Sequence, residues 1–250
     1  ALPIYLTNIS WTPDDKYVIV QVLDRTQKHM KMNMYRADGG SFVRTLLTED
    51  DERFVEPLDP VHFLKGTYSF IYRTDIRDGY RNLYLCDTLG SVRRLTAVDA
   101  DVAYLGNDGK TVFYTSAEIS PVENHLFRID IKIKDGRKDA VAKARFSKPV
   151  RLTTEEGWHD VSLNDDCTLF LDSYSSFTVP GAVRLADGNG KTVRELYQAA
   201  DPLDGYRHGD ALLGTVKSAD GKYDNWYRLF LPSDFDPAKK YPVVLYVYGG

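Results

Sequence analysis

The sequence predicts an all-β protein: a partial β-propeller of about four four-stranded antiparallel blades, followed by the first strands of a truncated domain of α/β type. Three observations predict this. Helical periodicity is nearly absent along the 250 residues. A four-strand unit recurs every roughly 40–50 residues, the period of propeller blades. After Gly214 the pattern changes and closes on an apolar run, Val243 to Val247. That run has no clean alternation, as in a parallel-sheet strand buried on both faces.

The first unit spans about Asn8 to Thr48. It has Ile9-Ser10-Trp11 and a polar Thr-Pro-Asp-Asp-Lys turn, then YVIVQVLD from Tyr17, MKMNMYRA from Met30 and VRTLLT from Val43. The second, Val61 to Thr96, is the clearest. His62–Gly66 ends one strand, YSFIYR starts at Tyr68, NLYLCD at Asn82 and VRRLT at Val92. Its hairpin carries Gly79, a residue free to take positive φ. The third, about Asp101 to Thr153, has Tyr104–Lys110, TVFYTS from Thr111 and HLFRIDI from His125. A charged insertion from Lys132 to Lys148 delays its last strand, Val150 to Thr153. The fourth, about Asp160 to Leu196, has Val161–Asp166, TLFLDSYS, GAVRLAD and VREL. A plain antiparallel sandwich is the alternative. The regular return of Leu-Thr and of a turn followed by Lys favours blades, each covering its neighbour.

Residues 1–200 are therefore assigned to blades and 201–213 to a linker with Pro202, Gly205 and Gly209. Residues 214–250 open the second domain: a hairpin ending in YRLFLP, a polar turn, then a Tyr241–Tyr248 strand. Ala1-Leu2-Pro3 reads as an internal start, and four blades by themselves could close a small propeller.

A formal charge of −4 without a basic stripe argues against nucleic acid as a partner. No apolar run reaches the roughly 18 residues of a membrane span. Cys86 and Cys167 stand far apart and read as buried free thiols. His29, His62, His125, His159 and His208 form no metal-ligand spacing, so neither a metal nor a cofactor is expected. Met30, Met32 and Met34 alternate with polar residues and read as one apolar strand face rather than a metal site. Asn8-Ile9-Ser10 fits a glycosylation sequon, a triplet that also arises by chance.

The ending, Phe235-Asp236-Pro237-Ala238-Lys239-Lys240-Tyr241-Pro242 and then VVLYVYGG, resembles the dipeptidyl peptidase IV branch of the prolyl oligopeptidase family, its bacterial tripeptidyl members most of all. Further matches are Thr7–Trp11, Phe42–Leu46, Val55–Leu58 and Val179-Pro180, so the resemblance covers most of the chain. It implies an exported, periplasmic or cell-surface serine peptidase that releases di- or tripeptides after proline from free N-termini, and a homodimeric parent. It also implies a larger propeller, whose first blades are expected upstream of Ala1, and a second domain that is the start of an α/β-hydrolase. By the same resemblance Tyr248 donates its hydroxyl to the oxyanion hole. A positioned donor there is worth about 2.7–4 kcal/mol.

No Gly-x-Ser-x-Gly elbow occurs in the chain. The nucleophile, acid and base are expected elsewhere in the parent, and the chain alone is expected to be inactive. The family's amine-binding acidic pair has no sequence match. Asp50-Asp51-Glu52 and Glu155-Glu156 read as solvated loop faces. The alternative function is a TolB-like propeller that binds a protein partner without catalysis. Open strand edges at the blades and at 243–247 are expected to drive self-association.

Overall fold

The computed structural model describes residues 4–133 and 140–247, and no helix occurs among the described residues. The chain divides into two compact units, Ala1–Ala199 and Ala200–Gly250.

The first unit is four blades of a β-propeller. Blade 1 is β1 (Ile4–Trp11), β2 (Tyr17–Asp24), β3 (His29–Arg36) and β4 (Phe42–Asp50) in that spatial order. Blade 2 is β5 (His62–Phe63), β6 (Ser69–Thr74), β7 (Asn82–Asp87) and β8 (Val92–Arg94). Blade 3 is β9 (Val102–Asn107), β10 (Thr111–Ser116) and β11 (His125–Lys132), with β12 (Arg145–Phe146) and β13 (Val150–Arg151) both paired to β11. Blade 4 is β14 (Trp158–Leu163), β15 (Leu169–Ser175), β16 (Ala182–Asp187) and β17 (Thr192–Gln198). All the ladders are antiparallel.

Alternation along each strand decides which neighbour a side chain meets, because successive residues point to opposite faces. In β6, Phe70 and Tyr72 join Ile19, Met30, Met32 and Met34 of blade 1, while Ile71 between them joins Val112 and Tyr114 of blade 3. β7 divides the same way, with Tyr84 and Cys86 toward blade 1 and Leu83 and Leu85 toward blade 3. In β10, Phe113 turns to Phe170 of blade 4. The three methionines are thus core residues of the first interface, and both cysteines are buried free thiols. Burial pushes the Cys86 thiol far up.

The charged insertion holds more structure than its composition suggests. Val141 and Ala144 are buried in the cluster shared by blades 2 and 3, and β12 adds a second short partner to β11. Its residues 134–139 lie outside the described residues.

The second unit contains the hairpin β18 (Ala211–Lys217) and β19 (Asp224–Phe230), which starts three residues before Gly214. One expectation fails here. Val243–Val247 is not a strand, and its residues are exposed, from 69% at Val247 to 95% at Val244. Strand character requires a neighbour to accept the backbone hydrogen bonds. No described strand runs beside this segment, so its β-forming side chains do not suffice.

Candidate functional site

The residue singled out for chemistry, Tyr248, lies outside the described residues. The stretch leading to it is held locally. The Tyr241 hydroxyl accepts the Asp236 N–H at 2.8 Å, the Phe235 and Tyr241 rings sit 5.4 Å apart, and Lys239 pairs with Asp236 at 3.6 Å. The polar turn from Ser233 to Lys240 is therefore closed by its own side chains.

Two polar constellations of the first unit lie between blades. Asp59 pairs with Arg73 through two hydrogen bonds, 2.6 and 3.1 Å, and its carbonyl accepts from Gln21 Nε2 at 2.8 Å. Arg73 also donates to the Val102 carbonyl at 3.1 Å, so one guanidinium ties blade 2 to blade 3. The planar fork of arginine suits such a two-sided contact.

The recurring Leu-Thr has a structural meaning in blades 2 and 3. The Thr96 hydroxyl accepts the Leu83 N–H at 2.8 Å and donates to Asn82 Oδ1 at 2.8 Å. Thr153 repeats this: it accepts the Leu126 N–H at 3.0 Å and faces His125 Nδ1 at 3.1 Å. In both blades a threonine two residues beyond the last strand stands in for a missing ladder carbonyl.

His125 and His159, both fully buried, meet between blades 3 and 4 with ring centroids 5.1 Å apart. They begin a column. His159 stacks on Tyr174 at 4.8 Å, and the Arg184 guanidinium lies over the Tyr174 ring at 4.7 Å. Acids line it: Glu123 contacts His125 Nε2 at 2.8 Å, Asp172 contacts His159 Nδ1 at 2.8 Å, and Glu155 pairs with Arg184. Arg184 Nε faces Glu195 at 3.2 Å, close enough for an ion pair but not aligned as a hydrogen bond.

Burial alone would push His159 down. Its bonds to the Asp172 carboxylate and the Glu155 carbonyl, together with those residues' charges, outweigh burial and hold it above the ordinary histidine value. Burial also pushes His125 down. Its bond to Glu123 opposes this only in part, and the charges of His159 and Arg151 add to the fall.

Backbone bonds fix the column. The His159 N–H donates to the Asn124 carbonyl at 3.0 Å, and the Asn124 N–H to the Gly157 carbonyl at 3.2 Å. Gly157 has φ +143, and a Cβ there would meet the Ser175 carbonyl at 2.3 Å, so only glycine allows this approach.

Of the acidic runs, Asp50 pairs with His29 on the surface at 2.6 Å, and Asp51 pairs with Arg53 at 3.5 Å. Glu155 is not a purely solvated residue, being half-buried against Arg184. Among the described residues no group of three or more His, Cys, Asp or Glu is placed to hold a metal. Sequence reading treated His125 and His159 as scattered. The available signal was the repeat itself, since His125 precedes Leu126 as Asn82 precedes Leu83.

A family model of the dipeptidyl peptidase IV N-terminal region matches residues 2–181. Dipeptidyl peptidase 8 of Mus musculus is 23% identical over 310 residues, an alignment covering 98% of this chain and 33% of that protein. A dipeptidyl-aminopeptidase B of Aspergillus niger is 24% identical over 270 residues, covering 97% of this chain and 28% of its own length. A crystal structure assigned as a dipeptidyl aminopeptidase IV from Bacteroides ovatus superposes with a TM-score of 0.80 at 33% identity, covering 99% of this chain and 36% of that one. Dipeptidyl peptidase 4 of Porphyromonas gingivalis gives 0.78 at 25% identity, covering 97% and 34%. The chain thus spans about a third of the length of these relatives.

Proposed function

Since this chain belongs to the family of the dipeptidyl peptidase IV N-terminal region, we propose that it is the propeller segment, and the entry to the catalytic domain, of a serine peptidase that releases short peptides after proline. The substrate is a peptide with a free N-terminus and proline near it. The blades wall the active site and restrict the size of what enters. Residues 214–250 open the α/β-hydrolase domain, after a linker at 201–213. Tyr248 supplies a hydroxyl to the oxyanion hole of the tetrahedral intermediate. The parent acts outside the cytoplasm, in the periplasm or at the cell surface, and as a homodimer. No helix among the described residues is long and apolar enough to cross a membrane.

One observation carries the reading: the family's blades and the run VVLYVYGG occur in one chain, in that order. Since the 250 residues hold no Gly-x-Ser-x-Gly, the chain by itself is expected to leave a fluorogenic Gly-Pro substrate uncleaved.

The test is Tyr248→Phe in the whole gene product. Losing one oxyanion donor lowers kcat about 10²–10³-fold with little change in KM. A variant with unaltered kcat would remove Tyr248 from the mechanism. A gene product without post-proline activity would overturn the function.

A further inference from the structure

The hydrogen bonds around His159 assign its protonation without reference to any titration, and those around His125 assign its neutral tautomer. Both ring nitrogens of His159 face acceptors that cannot donate: the Asp172 carboxylate at Nδ1 and the Glu155 carbonyl at Nε2, 2.9 Å away. A neutral imidazole has a single N–H and would leave one of these opposed to a lone pair. Only the imidazolium satisfies both.

His125 is the reverse case. The Glu123 carboxylate at Nε2 can only accept, so a neutral ring carries its N–H there and leaves Nδ1 to accept from the Thr153 hydroxyl, as Asn82 Oδ1 accepts from Thr96 one blade earlier. Nδ1 is then an acceptor, and Nε2–H donates to Glu123. The neutral Nε2–H tautomer is fully satisfied.

We propose that these two histidines form a pH-gated latch between blades 3 and 4, closed while His159 carries a proton that His125 does not. The charged and titratable groups facing the pair are Glu123 before β11, Arg151 on β13, Glu155 before β14, and Asp172 and Tyr174 on β15. Arg184 on β16 and Glu195 on β17 complete the column. Acidification adds a second cation 5.1 Å from the first in a buried site. Alkalinisation strips His159 and leaves the Asp172 carboxylate or the Glu155 carbonyl without its donor.

The two flanks have opposite signs. His159 sits above its ordinary value of 6.5, so its contribution is full below 6.5 and is lost as pH rises through its folded value. His125 sits below 6.5, so its contribution is full above 6.5 and is lost as pH falls toward its folded value. The latch is tightest between the two.

The test uses the full chain labelled with ¹⁵N-histidine. Long-range imidazole spectra are taken from about pH 5 to about pH 8.5, with hydrogen exchange at the Asn124 and His159 amides that cross between the blades. We expect His159 to keep its proton to higher pH than His125 does. His159 should be doubly protonated above pH 6.5, and His125 should show the Nε2–H tautomer. Exchange at the two amides should be slowest between the two midpoints and accelerate at both ends. His125→Asn, which installs blade 2's own residue, should abolish the acid-side acceleration and keep the alkaline one. Two histidines titrating together near 6.5 would overturn the proposal. So would an unchanged exchange profile in H125N. If H125N fails to fold, the wild-type spectra decide alone.

Discussion

Replacing Thr96 by valine removes one hydroxyl and almost no volume, so its cost measures the threonine lock of blade 2. Thr96 is buried, and so is Leu83, whose N–H it accepts at 2.8 Å. β8 ends at Arg94, so no strand carbonyl is available to replace it. Orphaning a buried N–H costs about 1–3 kcal/mol. Asn82 Oδ1 loses its bond from Thr96 but keeps the Val98 N–H at 3.3 Å, so this side adds less. The expected loss is about 2–3 kcal/mol, a large share of a typical domain stability of about 5–15 kcal/mol. Thr48 is the internal control. It follows Leu47 in the same Leu-Thr pattern, yet its side chain is exposed on β4. Thr48→Val should fall within about 0.5 kcal/mol of wild type. The assay is urea unfolding followed by far-UV circular dichroism, comparing midpoints at constant slope. Equal costs at the two positions, or a Thr96→Val variant as stable as wild type, would refute the lock.

Further outcomes are expected. Ile71→Ala cuts a fully buried side chain from the interface of blades 2 and 3 and should cost about 2–5 kcal/mol, whereas Leu171→Ala on an exposed face should cost far less. Equal unfolding midpoints would contradict this assignment of faces. Burial holds Glu49 above its ordinary value of 4.5, against the bonds from Tyr72 and Thr74 and the charge of Arg77. One oxygen, Oε1, has no hydrogen-bond partner and faces Arg77 Nε at 3.8 Å. Its stabilising contribution is therefore full below 4.5 and is lost as pH rises through the folded value. Glu49→Gln should make the chain gain stability relative to wild type at about pH 8 more than at about pH 4.5. Parallel stability–pH curves would show that Glu49 does not titrate in this window. Finally, the exposed run Val243–Val247 should promote association between chains. Val244→Asp with Leu245→Asp should weaken any concentration dependence of sedimentation, and a wild-type chain monomeric at every concentration would dismiss the idea.

Local chemistry made much of the propeller legible. The apolar runs YSFIYR and NLYLCD marked strands, and the polar turns marked where the strands end. The strand starts read from sequence agree within a residue or two for β2, β3, β6, β7, β10 and β11. These features depend on residues close in the chain. The charged insertion misled because Val141 and Ala144 are too few to form a periodic signal, yet each fills a gap between blades.

What lay beyond the sequence was pairing across distance. Leu-Thr was visible as a recurrence, but Leu47-Thr48 and Leu95-Thr96 look alike on paper and differ in whether a neighbour's N–H needs the hydroxyl. His125 and His159 belong to different repeats, and only the docking of blade 4 on blade 3 stacks their rings. Val243–Val247 has the composition of a buried strand and is not one. Side-chain preference and alternation are properties of a segment, so the sequence determined them. A ladder, a buried ion pair or a stacked imidazole is a property of two segments, and its free energy exists only once the tertiary fold has brought them together.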